Sequence, residues 1–200
     1  MTMNAADLKG LLAAWAALMN EKKEWLIELD SVVGDSDLGL TMSDGFAAAA
    51  EAASASDVTD VGKLAYQAGK AMATAVPSTM GTLMASGLMN AGKQLKGQEE
   101  AADADFFEAW YDGVQNRGKA QPGEKTFLDG MLPAVQALKA GKTPEETAEI
   151  AWSAFEGTKG MLAKHGRMAI RGEASRELLD PGAAVAALLM KGYAEYRGNQ

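Results

Sequence analysis

Apolar residues recur along this chain at helical spacing, and strand-like alternation is scarce. Leu8, Leu11, Leu12, Trp15 and Leu18 share one side of a segment from Ala5 to Met19. Asn20 is placed to cap a second helix toward Asp30, and a third carries Met42, Phe46 and a run of alanines to about Ala53. Asp60 to Ala75 and Thr79 to Leu95 read as the next two helices, and Asp103 opens another bearing Phe106, Phe107, Trp110 and Val114. Residues 118–125 form a loop with Pro122-Gly123 turn chemistry. A helix follows from Thr126 to Lys139, with Pro133 a place for a kink. Thr143-Pro144-Glu145-Glu146 combines a capping box with proline at the first helical position. Asp180-Pro181-Gly182 opens the last helix, to about Tyr196, by the same cap-then-proline logic. Gly160 to Leu179 mixes helical and loop signals, and the polar stretch Gln98 to Asp105 reads as an exposed interhelix loop. The pattern is that of a single all-α domain spanning residues 1–200, with no linker or internal repeat.

Glycines inside helical stretches are frequent: Gly62, Gly69, Gly81, Gly87 and Gly92. Each costs about 1 kcal/mol against alanine in an exposed helix, a cost that close helix approach or a ligand contact offsets. Met72, Met80, Met84, Met89 and Met131 suit the filling of core gaps.

Charge narrows the function. The chain has 19 basic and 27 acidic residues, a formal net charge of −8. A general nucleic-acid binder or a binder of anionic membranes wants a basic face. A nucleotide ligand is still compatible, because bound Mg²⁺ reverses the local field. There is no cysteine, hence no disulfide, zinc thiolate or thiol nucleophile. That composition is compatible with the cytoplasm, the expected location. The stretch Met1 to Leu18 carries Asp7 and Lys9 in an amphipathic pattern unlike a signal peptide, and no segment is apolar for long enough to span a bilayer.

The candidate chemistry concentrates in Asp30-Ser31-Val32-Val33-Gly34-Asp35-Ser36-Asp37-Leu38-Gly39. Three carboxylates this close repel one another unless a cation sits among them, and their hard oxygens suit Mg²⁺ or Ca²⁺. Gly34 and Gly39 permit the tight bends that aim the side chains at one place. Spacing alone is equally compatible with a polar interhelix turn and a helix N-cap. A calcium-binding EF-hand is excluded, because counting from Asp35 the position of the bidentate glutamate is Phe46. Two other features are decoys. Gly87 to Gln94 nearly matches a P-loop, but Gln94 stands where a Mg²⁺-binding hydroxyl is needed and no strand precedes it. His165, the lone histidine, sits between Lys164 and Gly166, as expected of an exposed helix end.

Four separated segments resemble the DhaL family, the nucleotide-binding subunits of dihydroxyacetone kinases. The first is Asp30-x₄-Asp35-x-Asp37-x-Gly39 with Met42 and Gly45-Phe46. The second is Arg117 to Asp129 with Pro133-Ala134, and the third Gly166-Arg167-Met168-Ala169 with Gly172-Glu173 and Ser175. The fourth is Asp180-Pro181-Gly182-Ala183.

The resemblance implies an up-and-down barrel of about eight antiparallel amphipathic helices, with ADP or ATP bound at one end. It implies two Mg²⁺ ions on Asp30, Asp35 and Asp37, the residues that would serve catalysis. It implies phosphate or nucleotide contacts from Leu38, Gly39, Leu40 and Thr41, from Thr79 and Met80, from Gly118 and Phe127, from Arg167, and from Asp180, Pro181 and Gly182. The implied activity is phosphoryl transfer to a hydroxyl of a short ketose held by a separate DhaK-like subunit. A DhaM-like phosphotransferase protein is a further implied partner. Related alternatives are a nucleotide-loaded regulatory module and a kinase subunit for another ketose such as a tetrulose. The chain departs from the family pattern at Leu38, where a histidine is usual, and in Val76-Pro77-Ser78-Thr79-Met80-Gly81, where glycine and serine dominate. It departs again at Ala174, usually arginine, and at Leu178, usually histidine.

Overall fold

A computed structural model describes residues 1–200. Nine α-helices account for most of the chain: α1 (Ala5–Glu21), α2 (Lys23–Ser31), α3 (Leu38–Ser54), α4 (Val61–Ala75), α5 (Thr79–Gln94), α6 (Asp103–Gly118), α7 (Phe127–Lys139), α8 (Pro144–Glu156) and α9 (Pro181–Gly198). The all-α expectation holds, and most helix starts lie where capping residues mark them. Asp60 accepts from the Lys63 amide and Ser78 from that of Gly81. Thr126 with Asp129, and Thr143 with Glu146, form reciprocal capping boxes, and Asp180 accepts from the Ala183 amide. α7 runs through Pro133.

Three expectations need correction. Asn20 does not cap α2. Helix α1 continues to Glu21, and Lys22 precedes α2 without a side-chain cap. The stretch Gln98–Asp105 is not only an exposed loop. Its residues Glu100–Ala102 form a short strand β2 that pairs antiparallel with β1 (Thr2–Asn4), Met3 opposite Ala101. Both of these residues are buried, so the pair is stabilised by burial as well as by its ladder. His165 does not end a helix; it lies in a bend before a short 3₁₀ segment (Arg167–Glu177) that breaks at Gly172, whose φ of 54° is left-handed.

The chain divides into two compact units. One comprises Met1–Glu21 with Thr41–Gly118, the other Lys22–Leu40 with Lys119–Gln200. In the first, α5 packs against both α4 and α6, and α1 against α4. Its centre is aromatic: Trp15 meets Phe46, Phe107 and Trp110 edge-on, with centroids 6.0, 6.1 and 5.2 Å away. Such pairs contribute about 0.5–1.5 kcal/mol each beyond their burial. The helical glycines are explained by close approach. A Cβ on Gly87 would lie 1.8 Å from Trp110 Cδ1, and one on Gly92 would lie 2.6 Å from the Tyr66 amide nitrogen. The near P-loop run is therefore a packed helix face within α5.

In the second unit α9 is the central helix, with α7, α8 and α2 against it. Residues Ala183 to Met190 are buried without interruption, the pattern of a helix covered all round. Trp25 of α2 stacks on Trp152 of α8, with Phe155 edge-on to both. No helix is long and apolar enough to cross a membrane.

Candidate nucleotide and metal site

The acidic turn lies in the second unit, between the end of α2 and the start of α3. Asp30 is on the last turn of α2 and is only 9% exposed. Its carbonyl accepts from the amides of Val33 and Gly34, which closes the helix. Gly34 is required by close approach, because a Cβ there would sit 2.1 Å from Asp30 Oδ1. Ser36 takes a left-handed φ of 67° and reverses the chain, so that Asp35 and Asp37 turn back toward Asp30. One carboxylate oxygen from each aspartate lies within 4.8 Å of the others. The Leu38 amide, the first of α3, approaches Asp30 Oδ2 at 3.4 Å. Gly39 lets α3 start tightly against α2, since a Cβ would lie 2.2 Å from the Lys23 carbonyl oxygen.

The cluster is electrostatically loaded. Partial burial, then the charge and hydrogen bond of Asp35, then the charge of Asp30, push the Asp37 carboxyl above its ordinary value. Arg167 acts in the opposite direction. Its Nη2 lies 2.5 Å from Asp35 Oδ2, the one basic side chain paired with the three aspartates. Three convergent hard oxygen donors fit a divalent cation such as Mg²⁺.

A second group of residues gathers at the N-termini of α7 and α9, also in the second unit. A Cβ on Gly182 would lie 3.0 Å from both the Phe127 amide nitrogen and Asp180 Oδ2. Phe127 and Pro181 are buried. Burial pushes the Asp180 carboxyl up to about 7, against hydrogen bonds from the Ala183 and Gly182 amides and the charge of Lys125. The Asp180 amide donates to Thr158 Oγ1 at 3.0 Å.

Four of the sequence-derived candidates lie in the first unit. Thr41 is buried and donates to Ser78 Oγ at 3.2 Å, and Ser78 caps the helix that Thr79 and Met80 begin. Gly118 ends α6, where a Cβ would lie 3.1 Å from Leu83 Cδ2. The division between the units falls between Leu40 and Thr41.

Sequence reasoning passed over several residues that shape these sites. Ser78 joins Thr41 to the α5 start, and its place directly before a helix was the available signal. Glu124 holds His165 Nε2 at 2.5 Å, and its own carboxyl is drawn down first by the Gln121 amide and then by His165. Lys125, inside the quoted Arg117 to Asp129 motif, is buried, which nothing in the sequence marks.

The fold and site define a mainly helical chain with three convergent carboxylates at a helix start and an arginine paired with one of them. A family model described as the DAK2 domain matches residues 32–195, and the chain belongs to that family. It is 33% identical over 175 residues to the PEP-dependent dihydroxyacetone kinase 1, ADP-binding subunit DhaL, of Listeria innocua, covering 86% of each chain. It is 33% identical over 203 residues to the L-erythrulose 1-kinase of Mycolicibacterium smegmatis, covering 96% of this chain and 36% of that one. Among solved structures it shares the fold of the dihydroxyacetone kinase of C. freundii in its native form, with a TM-score of 0.77 at 22% identity. That match covers 95% of this chain, which spans about a third (34%) of the solved one. The same enzyme in complex with AMP-PNP and Mg²⁺ matches with a TM-score of 0.73.

Proposed function

We propose that this chain is the nucleotide-binding component of a dihydroxyacetone-type kinase. It carries ADP or ATP with Mg²⁺ and delivers a phosphoryl group to a hydroxyl of a short ketose held by a DhaK-like partner. A DhaM-like protein that rephosphorylates bound ADP is a further proposed partner. The observation that carries the reading is the convergence of Asp30, Asp35 and Asp37 with Arg167, in a DAK2 chain similar over most of its length to an ADP-binding subunit.

Asp30, Asp35 and Asp37 would hold the cations, two by resemblance. Bound Mg²⁺ would supply charge neutralisation for the phosphate oxygens. The protein's part is preorganisation. Gly34 and Ser36 bend the turn so that the carboxylates already converge, and no rearrangement is needed to gather them. The first amides of α3, at Leu38, Gly39, Leu40 and Thr41, belong to a helix N-terminus, which favours anions. Arg167 supplies a planar cation suited to phosphate. Thr79, Met80, Gly118, Phe127 and the Asp180-Pro181-Gly182 turn are proposed nucleotide contacts.

A tetrulose as the acceptor is the second reading, favoured by the similarity to the L-erythrulose 1-kinase. Isothermal titration of the metal-free protein with ADP, with and without Mg²⁺, tests the central claim. Binding that requires Mg²⁺ supports it, and the absence of any Mg²⁺-dependent binding would refute it. Turnover with dihydroxyacetone against erythrulose, using a cognate ketose-binding subunit, separates the two acceptors.

A further inference from the structure

We propose that Lys125 is a positioning residue for Arg167, locking the arm that carries it; this rests on the reading of Arg167 as a nucleotide contact. Lys125 is only 2% exposed. Its ammonium donates to the carbonyls of Ser175 at 2.6 Å, Leu178 at 2.6 Å and Met161 at 3.3 Å. An ammonium has three hydrogens and no acceptor capacity, so these bonds use all it has. No carboxylate pairs with it within 4.0 Å. Asp180 acts on it only as a nearby charge.

The three acceptors are not scattered. Met161 lies where the chain leaves α8 for the arm, and Ser175 and Leu178 lie where it returns toward α9. Arg167 is near the middle of that excursion. Lys125 thus ties both ends of residues 161–178 to one point. Its own backbone is fixed in turn, because it has a left-handed φ of 63° and directly precedes the Thr126 capping box.

The middle of the arm has its own polar ties: the Lys164 amide donates to the Glu124 carbonyl at 3.2 Å, His165 Nε2 lies 2.5 Å from Glu124 Oε2, and Arg171 Nη2 donates to the Val32 carbonyl. Gly160 donates to the Arg176 carbonyl at 2.7 Å, and Arg176 Nη1 donates to the Gly160 carbonyl. The Ala163 amide donates to Ser175 Oγ at 3.1 Å. The arm's apolar contact with the acidic turn is small: Ala163 and Met168 pack with Val33, and Leu178 rests against them. A shift at the base of the arm therefore moves Met168 against Val33 and Arg167 against Asp35. A buried ammonium is costly to desolvate, and one satisfied only by backbone carbonyls gains geometry rather than an ion pair. With every donor used and its side chain enclosed, Lys125 acts on a ligand through the arm.

The test is a double-mutant cycle on the full chain, reading Mg·ADP affinity by calorimetry for wild type, K125M, R167A and K125M/R167A. K125M should weaken binding roughly tenfold, and the double variant should bind as R167A alone does, because the effect of the arm's position on the ligand runs through Arg167. K125Q retains amide donors and should recover part of the loss. If the K125M loss multiplies in full onto that of R167A, Lys125 acts elsewhere and the assignment is overturned. Unchanged affinity in K125M overturns it as well, and so does loss of helical structure in both Lys125 variants, which would make Lys125 a folding residue. If R167A itself binds Mg·ADP as wild type does, the reading of Arg167 fails instead, a distinct result.

Discussion

The α5–α6 face of the first unit and the 161–178 arm of the second are held by opposite kinds of contact. On the α5–α6 face, Gly87 presses against the Trp110 indole, and Trp110 in turn meets Trp15 and Phe106. Those contacts are apolar, buried and intolerant of added volume. The arm instead hangs on a buried ammonium, the Glu124–His165 pair, paired backbone groups and a small apolar cluster, and Arg167 at its middle is 63% exposed. A packed face keeps its shape without a ligand. A polar-clamped arm keeps its place at lower local stability, which suits the proposed role of Arg167 in engaging and releasing a charged ligand.

Removing the acidic turn's oxygens should give the largest effect and leave the packed face untouched. D35A and D37A are each expected to abolish phosphoryl transfer with the cognate partner while far-UV circular dichroism stays near wild type. Activity near wild type in either variant would give the turn a purely structural role.

The next effect separates burial from clamping by pH. The folded state holds the Asp180 proton up to about 7, whereas the unfolded chain releases it near 3.8. Between these values the folded state binds more protons, so this group's contribution to stability falls as pH rises and levels off above about 7. Asn is an equally good cap without the charge, so D180N should gain stability over wild type across that window, by up to about 4 kcal/mol. Urea unfolding of both proteins at pH 4.5 and 7.5 measures it, and a pH-independent difference would contradict the buried carboxyl.

G87A probes the packed face directly. It should cost about 1–3 kcal/mol of stability, because the added methyl meets a rigid, enclosed indole. Nucleotide affinity per folded molecule should not change. A neutral effect on the thermal midpoint would show that Trp110 can move aside.

The smallest contrast lies within the arm. R167A should weaken Mg·ADP binding by about 1.5–3 kcal/mol, the usual range for a charge-assisted hydrogen bond. R176A should weaken it far less, because Arg176 is already engaged with Glu173 and the Gly160 carbonyl. The reverse order in calorimetric titrations would make Arg176 the ligand's cation.

How much of this was legible beforehand follows the same division. Helix starts at Asp60, Thr126, Thr143 and Asp180 could be read because caps act over three or four residues. The acidic turn was legible because three carboxylates and two glycines within ten residues are a local pattern. The β1–β2 pair was not, since three-residue strands carry no alternation and their partners are 96 to 100 positions apart. Lys125 was hidden for a similar reason: its acceptors lie 36 to 53 positions away, and a buried lysine looks like a surface one in sequence. His165 misled because its partner Glu124 is 41 positions upstream.

The order in which the chain emerges during synthesis gives the division into units a temporal meaning. Every residue of the first unit has been made once Gly118 is added, so its aromatic centre can assemble early. The segment Lys22–Leu40, with all three aspartates, is made at the outset yet belongs with Lys119–Gln200. The acidic turn must therefore wait, without its native neighbours, while most of the polypeptide is translated. Nascent chains stalled before Arg167 should show a protease-resistant first unit and no capacity to retain Mg·ADP, which would make the proposed ligand site the last part of the molecule to mature.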